Sequence, residues 1–265
     1  MAIVDGADAP RETIFRHVLL ISSTALILSL GALFLANPDI DLAISNAARE
    51  ACPVPAPSPG RAWCPTAAIT SARLVFMAIF LLVIVATLLA SVSVLVAERK
   101  WFGLAQARCG FMIAVLLVGP GFVANLIIKD NLGRARPRDV IEFGGTKTFS
   151  PPLVPSQECR RNCSFVSGEA SSMFASFFGL ALLFPKFRLS LLLLGVGTGL
   201  LAGAIRIMQG AHFLSDVLFA GLFMAMTAAV LHFAIIDIWR DPQRVRNAFA
   251  SHFPTLARLA AGRIR

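Results

Sequence analysis

Long apolar runs dominate this chain, and its polar residues gather in short patches at the edges of those runs. A helix that crosses a bilayer needs about 20 predominantly apolar residues. Six stretches meet or approach that length, near residues 18–37, 72–97, 109–128, 169–185, 189–208 and 215–238. The pattern predicts an all-α, six-span transmembrane helix bundle. The fourth stretch is the least hydrophobic, opening Glu169-Ala170-Ser171-Ser172. Small residues there would let neighbouring helices approach closely. Pro120 in the third would kink it, with neighbouring helices satisfying the freed carbonyl. The first stretch follows Arg11 and Arg16, which also fits a cleaved signal peptide. It is long for a signal core and no small-x-small cleavage site follows it, so it is read as a span.

Composition sharpens this picture. The chain has 265 residues, 57% of them hydrophobic and 15% charged. A soluble domain is nearer 45–50% apolar and about 25% charged, so a soluble class is excluded. The length fits one membrane domain over 1–265, with a core at 72–238, a first span at 18–37 and a basic tail at 239–265. The net charge of +9 would suit nucleic acid, but the cations lie in loops between spans, where they set topology or meet lipid headgroups. No nucleic acid and no obligate protein partner is inferred.

The basic loops orient the bundle. Arg99, Lys100 and Arg108 flank the second loop, Lys186 and Arg188 mark the fourth turn, and the tail carries Arg240, Arg244, Arg246, Arg258, Arg263 and Arg265. With six spans these share the cytoplasmic side with both termini of a plasma (inner) membrane protein. Loop 129–168 then lies outside, yet it holds Lys129, Arg134, Arg136, Arg138, Lys147, Arg160 and Arg161. A violated topology rule needs another cause, and an anionic substrate supplies one. Loop 38–71 is Pro-rich and reads as a stiff extracytoplasmic segment. The tail from Asp241 reads as an amphipathic surface helix with Phe249, Phe253 and Leu256 on the membrane. Cys52 and Cys64 lie in one outer loop, Cys159 and Cys163 in another. They are disulfide candidates in an oxidising compartment. Free thiols remain open, whereas Arg160 and Arg161 between the second pair oppose a metal.

Three polar patches carry the candidate chemistry. Lys129 and Arg136 are seven apart and would share a face if the segment stayed helical, although Gly133 and Pro137 limit that helix. They suit phosphate oxygens, and they also suit ordinary interfacial cations. Ser167-Gly168-Glu169 opens a span, where a helix N-terminus favours an anion. A plain N-cap explains the same residues. Arg206 precedes His212 across Gly210, and Asp216 is four residues beyond His212. That spacing lets the Asp hold one ring nitrogen and leave the other to attack, or forms a structural pair.

Taken together, Lys-x6-Arg-Pro, Ser-Gly-x and Arg-x5-His-x3-Asp resemble the three-part signature of the type-two phosphatidic acid phosphatase superfamily. The resemblance covers 129–216 in motif order and most of the rest in span pattern. It implies an active site at the extracytoplasmic membrane face that hydrolyses a lipid phosphate without cofactor or metal. It implies His212 as nucleophile forming a phosphohistidine, Asp216 orienting it, and Lys129, Arg136, Ser167, Gly168 and Arg206 as phosphate-binding residues. Where the family carries Ser-Gly-His, this chain reads Ser167-Gly168-Glu169. Glu169 would replace the missing His as general acid if its surroundings kept it protonated; otherwise it orients a cation or the substrate. The stretch from Phe143-Gly144-Gly145 to Cys163-Ser164-Phe165-Val166 is similar to the lipid A phosphatase branch, which implies a lipid A substrate and its 4'-phosphate. Undecaprenyl diphosphate, phosphatidylglycerol phosphate and a lipid phosphotransferase stay open, and an anion transporter is the remote alternative.

Overall fold

The computed structural model describes residues 9–52, 63–64, 66–97 and 104–237. The expected surface helix of the tail lies outside the described residues. The described chain is helical: α1 (Ala9–Ala36), α2 (Asp39–Glu50), α3 (Ala67–Ala97), α4 (Leu104–Leu117), α5 (Asp130–Leu132), α6 (Gly168–Leu183), α7 (Arg188–Met208) and α8 (Leu214–His232). Its one strand-like pairing is the bridge between Val140 and Lys147 in the loop after α5.

Among the described residues, five helices are long and apolar enough to cross a membrane: Thr13–Ala36, Ala67–Ala97, Leu104–Asp139, Pro185–Met208 and Leu214–Asp237. The fourth expected span, α6, is only 16 residues long. Its setting explains how so short a helix is tolerated. Ten of its residues are buried, and α4, α7 and α8 surround it, so protein rather than lipid meets most of its surface. By contrast α3 buries no residue. At 31 residues it is about 46 Å long by helical rise, against a hydrocarbon core of about 30 Å. It stands at the rim of the bundle, is longer than that core is thick, and carries Arg73 to the polar end.

Pro120 alters the third span through its hydrogen-bond ladder. From Val118 to Lys129 the helix runs in wide turns of the i→i+5 kind, and Asn125 Nδ2 donates to the Pro120 carbonyl at 2.7 Å. Such wide turns often accompany functional sites, and this one delivers Lys129. The helix ends at Gly133, whose φ of 60° is costly for a residue with a Cβ.

Small residues on α7 set the packing of the bundle centre. A Cβ on Gly199 would sit 2.6 Å from the Phe174 ring, and one on Gly203 would sit 2.2 Å from Val217 Cγ1. These glycines bring α7 onto α6 and α8, the small-residue contact that membrane helices use in place of a hydrophobic drive. The resulting core joins Phe111, Val115, Phe165, Phe174, Phe178, Phe219 and Met224.

Loop 38–71 is described in part, and its Pro-rich stretch, expected to be stiff, lies outside the described residues. Its first part is the 12-residue helix α2, which carries the fully buried Asp41 and Ser45. Cys52 is disulfide-bonded to Cys64, and Cys159 to Cys163. The Cys64 N–H donates to the Met208 carbonyl at 3.0 Å, which ties the first loop to the end of α7. Every polar patch picked out in the sequence therefore meets at one end of the bundle. At the other end, Arg16 of α1 pairs with Asp237 beyond α8.

Candidate active site

A cavity of about 830 Å³ opens at the polar end. Lys129, Arg136, Gly168, Glu169, Arg206 and His212 all line it, and Arg73 and Arg138 join them. Its deeper wall is apolar, from Phe76, Met77, Phe80, Leu81 and Ile84 of α3. A charged rim over a greasy wall suits a lipid with an anionic head.

His212 lies between helices, two residues before α8, so the i, i+4 helical spacing expected for it does not apply. Its Nδ1 is 2.7 Å from the Ser164 carbonyl and 3.5 Å from Asp216 Oδ2. A carbonyl only accepts, so Nδ1 carries the proton. The neutral ring therefore has its lone pair on Nε2. Burial holds the His212 pKa down to about 4, against the pull of the Asp216 hydrogen bond and charge; Lys129 and Arg206 add to the lowering. At neutral pH the ring is an uncharged nucleophile.

Asp216 is fully buried and held from four sides. Its Oδ2 accepts the Phe213 N–H at 2.8 Å, a cap at the start of α8. The Ser164 hydroxyl donates to the same oxygen. Its Oδ1 accepts from Arg134 Nη1 at 2.5 Å. Arg134, 1% exposed, also gives Nη1 to Ser215 Oγ and Nη2 to Asp41 Oδ2, both at 2.8 Å, and Nε to the Ser150 carbonyl. Its guanidinium lies 4.3 Å from the Phe213 ring centre. Sequence placed Arg134 only among the loop cations; here it is a buried brace. Buried ion pairs seldom add much net stability, so the value of this one lies in fixing where Asp216 points.

The phosphate-binding candidates are placed as follows. Lys129 is buried, with Nζ 3.4 Å from Asn162 Oδ1. Arg136 sits in extended backbone beyond the helix and donates to the Asn162 carbonyl at 2.6 Å. The two cations thus converge through a loop rather than along one helical face. Gly168 opens α6; a Cβ there would come within 3.4 Å of Lys129 Nζ, so glycine keeps room beside the cation. Ser167 occupies the N-cap position without a side-chain cap bond, and its buried Oγ has no hydrogen-bond partner among the described residues. That leaves a hydroxyl and the unpaired N–H groups of a helix start for an anion. Arg206 Nη1 donates to Gln209 Oε1 at 2.5 Å.

Glu169 is engaged as an acceptor. Arg73 Nε reaches its Oε1 at 2.9 Å and its Oε2 at 3.2 Å, and Arg73 Nη2 its Oε1 at 2.8 Å. Arg206 Nε is 3.6 Å from Oε1. Arg73, Asn162 and Ser164 belong to the site yet match none of the three motifs. An arginine second in the expected span 72–97, which is otherwise uncharged, at the end that faces the basic loop, was the available signal for Arg73.

The profile of the PAP2 superfamily matches residues 108–240. That stretch spans half the chain and contains the cavity's Lys129, Arg136, Gly168, Arg206 and His212. The chain belongs to the PAP2 superfamily. Within it, the chain is 42% identical to a lipid A 4'-phosphatase of Francisella tularensis subsp. novicida over 133 residues, which are 49% of this chain and 60% of that protein. It is 34% identical to a lipid A 1-phosphatase of Rhizobium etli over 138 residues, 51% of this chain and 55% of that one. The chain spans between half and two thirds of the length of these relatives. Among solved structures, a transmembrane PAP2 type phosphatidylglycerolphosphate phosphatase from Bacillus subtilis is similar at a TM-score of 0.49 and 18% identity, covering 83% of this chain and 96% of that chain. That likeness is too distant to bear on function.

Proposed function

We propose that this PAP2 superfamily protein hydrolyses a phosphate monoester on a membrane lipid at the extracytoplasmic leaflet, through a phosphohistidine on His212. The lipid in this reading is lipid A, cleaved at its 4'-phosphate. The observation that carries it is the His212 ring, its Nδ1 proton fixed on Ser164 while it faces a cavity ringed by Lys129, Arg136 and Arg206.

In this mechanism the three cations, the Ser167 hydroxyl and the first N–H groups of α6 hold the phosphoryl oxygens. Cations aimed at the charge of the transferring group supply most of the stabilisation in phosphoryl transfer. Nε2 attacks phosphorus opposite the lipid oxygen. The P–O bond to the lipid breaks, and the departing oxygen keeps the electron pair and takes a proton from water. Asp216, braced by Arg134, offsets the charge on the phosphorylated ring. The hydroxide left by that water then attacks phosphorus, the P–N bond breaks, and its electron pair returns to Nε2. The sum is lipid phosphate plus water giving lipid alcohol plus inorganic phosphate. Glu169 acts by holding Arg73 and Arg206, because both its oxygens already accept N–H groups.

The 42% identity to the Francisella relative named a 4'-phosphatase supports the position chosen, whereas the Rhizobium etli relatives named 4'- and 1-phosphatases, at 35% and 34%, do not separate the two. The test is phosphate release in detergent from lipid A, undecaprenyl diphosphate, phosphatidylglycerol phosphate and phosphatidic acid, with His212→Ala alongside. Release from lipid A that leaves the 1-phosphate in place, abolished in the variant, is the expected result. Full activity of His212→Ala would remove the nucleophile, and preference for another lipid would replace the substrate.

A further inference from the structure

A smaller cavity of about 280 Å³ adjoins the first. Trp63, Thr70, Arg73, Arg138, Arg206 and Gln209 line it. Three of these, Arg73, Arg138 and Arg206, also line the larger cavity. The two spaces therefore share a wall of guanidinium groups.

That wall carries more positive charge than one phosphate requires. Around the larger cavity stand Lys129, Arg136, Arg206, Arg73 and Arg138, against the single lining carboxylate of Glu169. A phosphate monoester brings about two negative charges at neutral pH. Lys129 and Arg136 lie on the His212 side, where Asn162 joins them. Arg73 is paired with Glu169, so the surplus falls chiefly on Arg138. Arg138 is half exposed, and its one ion pair among the described residues is a loose one, 3.9 Å, with Asp139. Arg206 Nε is buried and makes no hydrogen bond among the described residues, with Glu169 Oε1 3.6 Å away. A buried N–H without a hydrogen bond is costly, and a phosphate oxygen beside it would supply one.

The rest of the wall is held in place. The Trp63 ring lies against Gly210, where a Cβ would approach it to 2.2 Å, and meets Phe143 edge-on at 5.3 Å. The neighbouring Cys64 is fixed by its disulfide and by Met208. Gly210 has a φ of 61°, so the aromatic wall needs both the space and the backbone conformation that glycine allows. Such a site is preorganised, which lowers the ordering cost of binding.

We propose that the smaller cavity seats a second phosphate of the substrate's own head group, so that the protein selects lipids bearing two phosphates over those bearing one. This rests on the lipid phosphatase reading above and narrows its substrate class. Arginine suits the role because its fork matches phosphate oxygens in pairs.

Binding separates this inference from the activity itself. The affinity of His212→Ala protein in detergent would be measured for lipid A and for 1-dephosphorylated lipid A. Lipid A is expected to bind at least about tenfold tighter, the size of one charge-assisted contact of about 1.4 kcal/mol. Thr70 is exposed on the first turn of α3 and lines only the smaller cavity. Thr70→Glu, added to His212→Ala, places a carboxylate there and is expected to bring the ratio towards one, whereas Thr70→Gln keeps it. Arg138→Gln lowers the ratio by an independent route. Equal binding of the two lipids, or a ratio that survives both Thr70→Glu and Arg138→Gln, overturns the proposal. Equal binding with displacement by inorganic phosphate would make the cavity a free-phosphate site and overturn it as well. A wild-type protein that releases no phosphate yet keeps the preference would sink the phosphatase reading alone.

Discussion

At the scale of single residues, the sequence shows what is linked along the chain and hides what is linked across it. Lys129, Arg136, Ser167, Gly168, Arg206, His212 and Asp216 are legible because fixed spacings group them. Arg73 is 96 residues from its partner Glu169, and no spacing rule connects them. That contact also changes the reading of Glu169. A general acid must present a proton to the leaving oxygen, whereas this carboxylate accepts from Arg73 with both oxygens. The two roles separate by leaving group. If Glu169 positions cations, Glu169→Gln lowers kcat/KM by about tenfold, or about 1.4 kcal/mol, equally for good and poor leaving groups. Arg73→Gln should cost a similar amount, and the double variant little more, since contacting residues do not add. A loss confined to poor leaving groups would restore the proton-donor role.

At the scale of elements, the long apolar runs were readable because bilayer thickness imposes a length that composition reveals. The elements that length and composition did not reveal are those held by protein contacts rather than by lipid. Helix α6 is shorter than a span because its neighbours, not lipid, cover it. Helix α2 is short, polar and interrupted by acids, and it folds against the bundle end through Asp41. The Asp41 carboxylate takes three donors: Arg134 Nη2 at 2.8 Å, Ser215 Oγ at 2.5 Å and the Ser215 N–H at 2.9 Å. Burial pushes its pKa up, opposed chiefly by the charge of Arg134. Asp41→Asn replaces one of two acceptor oxygens with a donor amide, which then faces donors. Breaking a buried pair costs about 3–5 kcal/mol, and the amide's remaining oxygen places this change near the low end. The expected result is a clearly lower thermal unfolding midpoint in detergent, together with reduced phosphate release as Arg134 loses its hold on Asp216. An unchanged midpoint with unchanged release would show that α2 does not brace the site.

At the scale of the whole molecule, charge serves two purposes that sequence counting mixes. The loop after α5 breaks the positive-inside pattern only if all its cations are counted as topological signals. Arg134 is buried on Asp41 and Asp216, and Lys129, Arg136 and Arg138 line the cavity. Their positions follow from the site, so they carry little information about orientation. Set aside, they leave Lys147, Arg160 and Arg161 in that loop, against Arg108, Lys186 and Arg188 at the opposite end and a tail rich in arginine. The balance then favours the site end outside. Lys147 and Lys186 are both exposed and mark the two ends. In a Cys109→Ser background, which removes the free thiol outside the two disulfides, Lys147→Cys is expected to react with a membrane-impermeant maleimide in intact spheroplasts. Lys186→Cys is expected to react only after permeabilisation. Phosphate release should survive both substitutions, because neither residue lines a cavity described above. The reverse labelling pattern would place the cavity at the cytoplasmic leaflet, where a reducing compartment would not sustain the Cys52–Cys64 and Cys159–Cys163 bonds. Labelling and disulfide content of the same membranes therefore have to agree, and disagreement between them would mean that the bonds do not form in the cell.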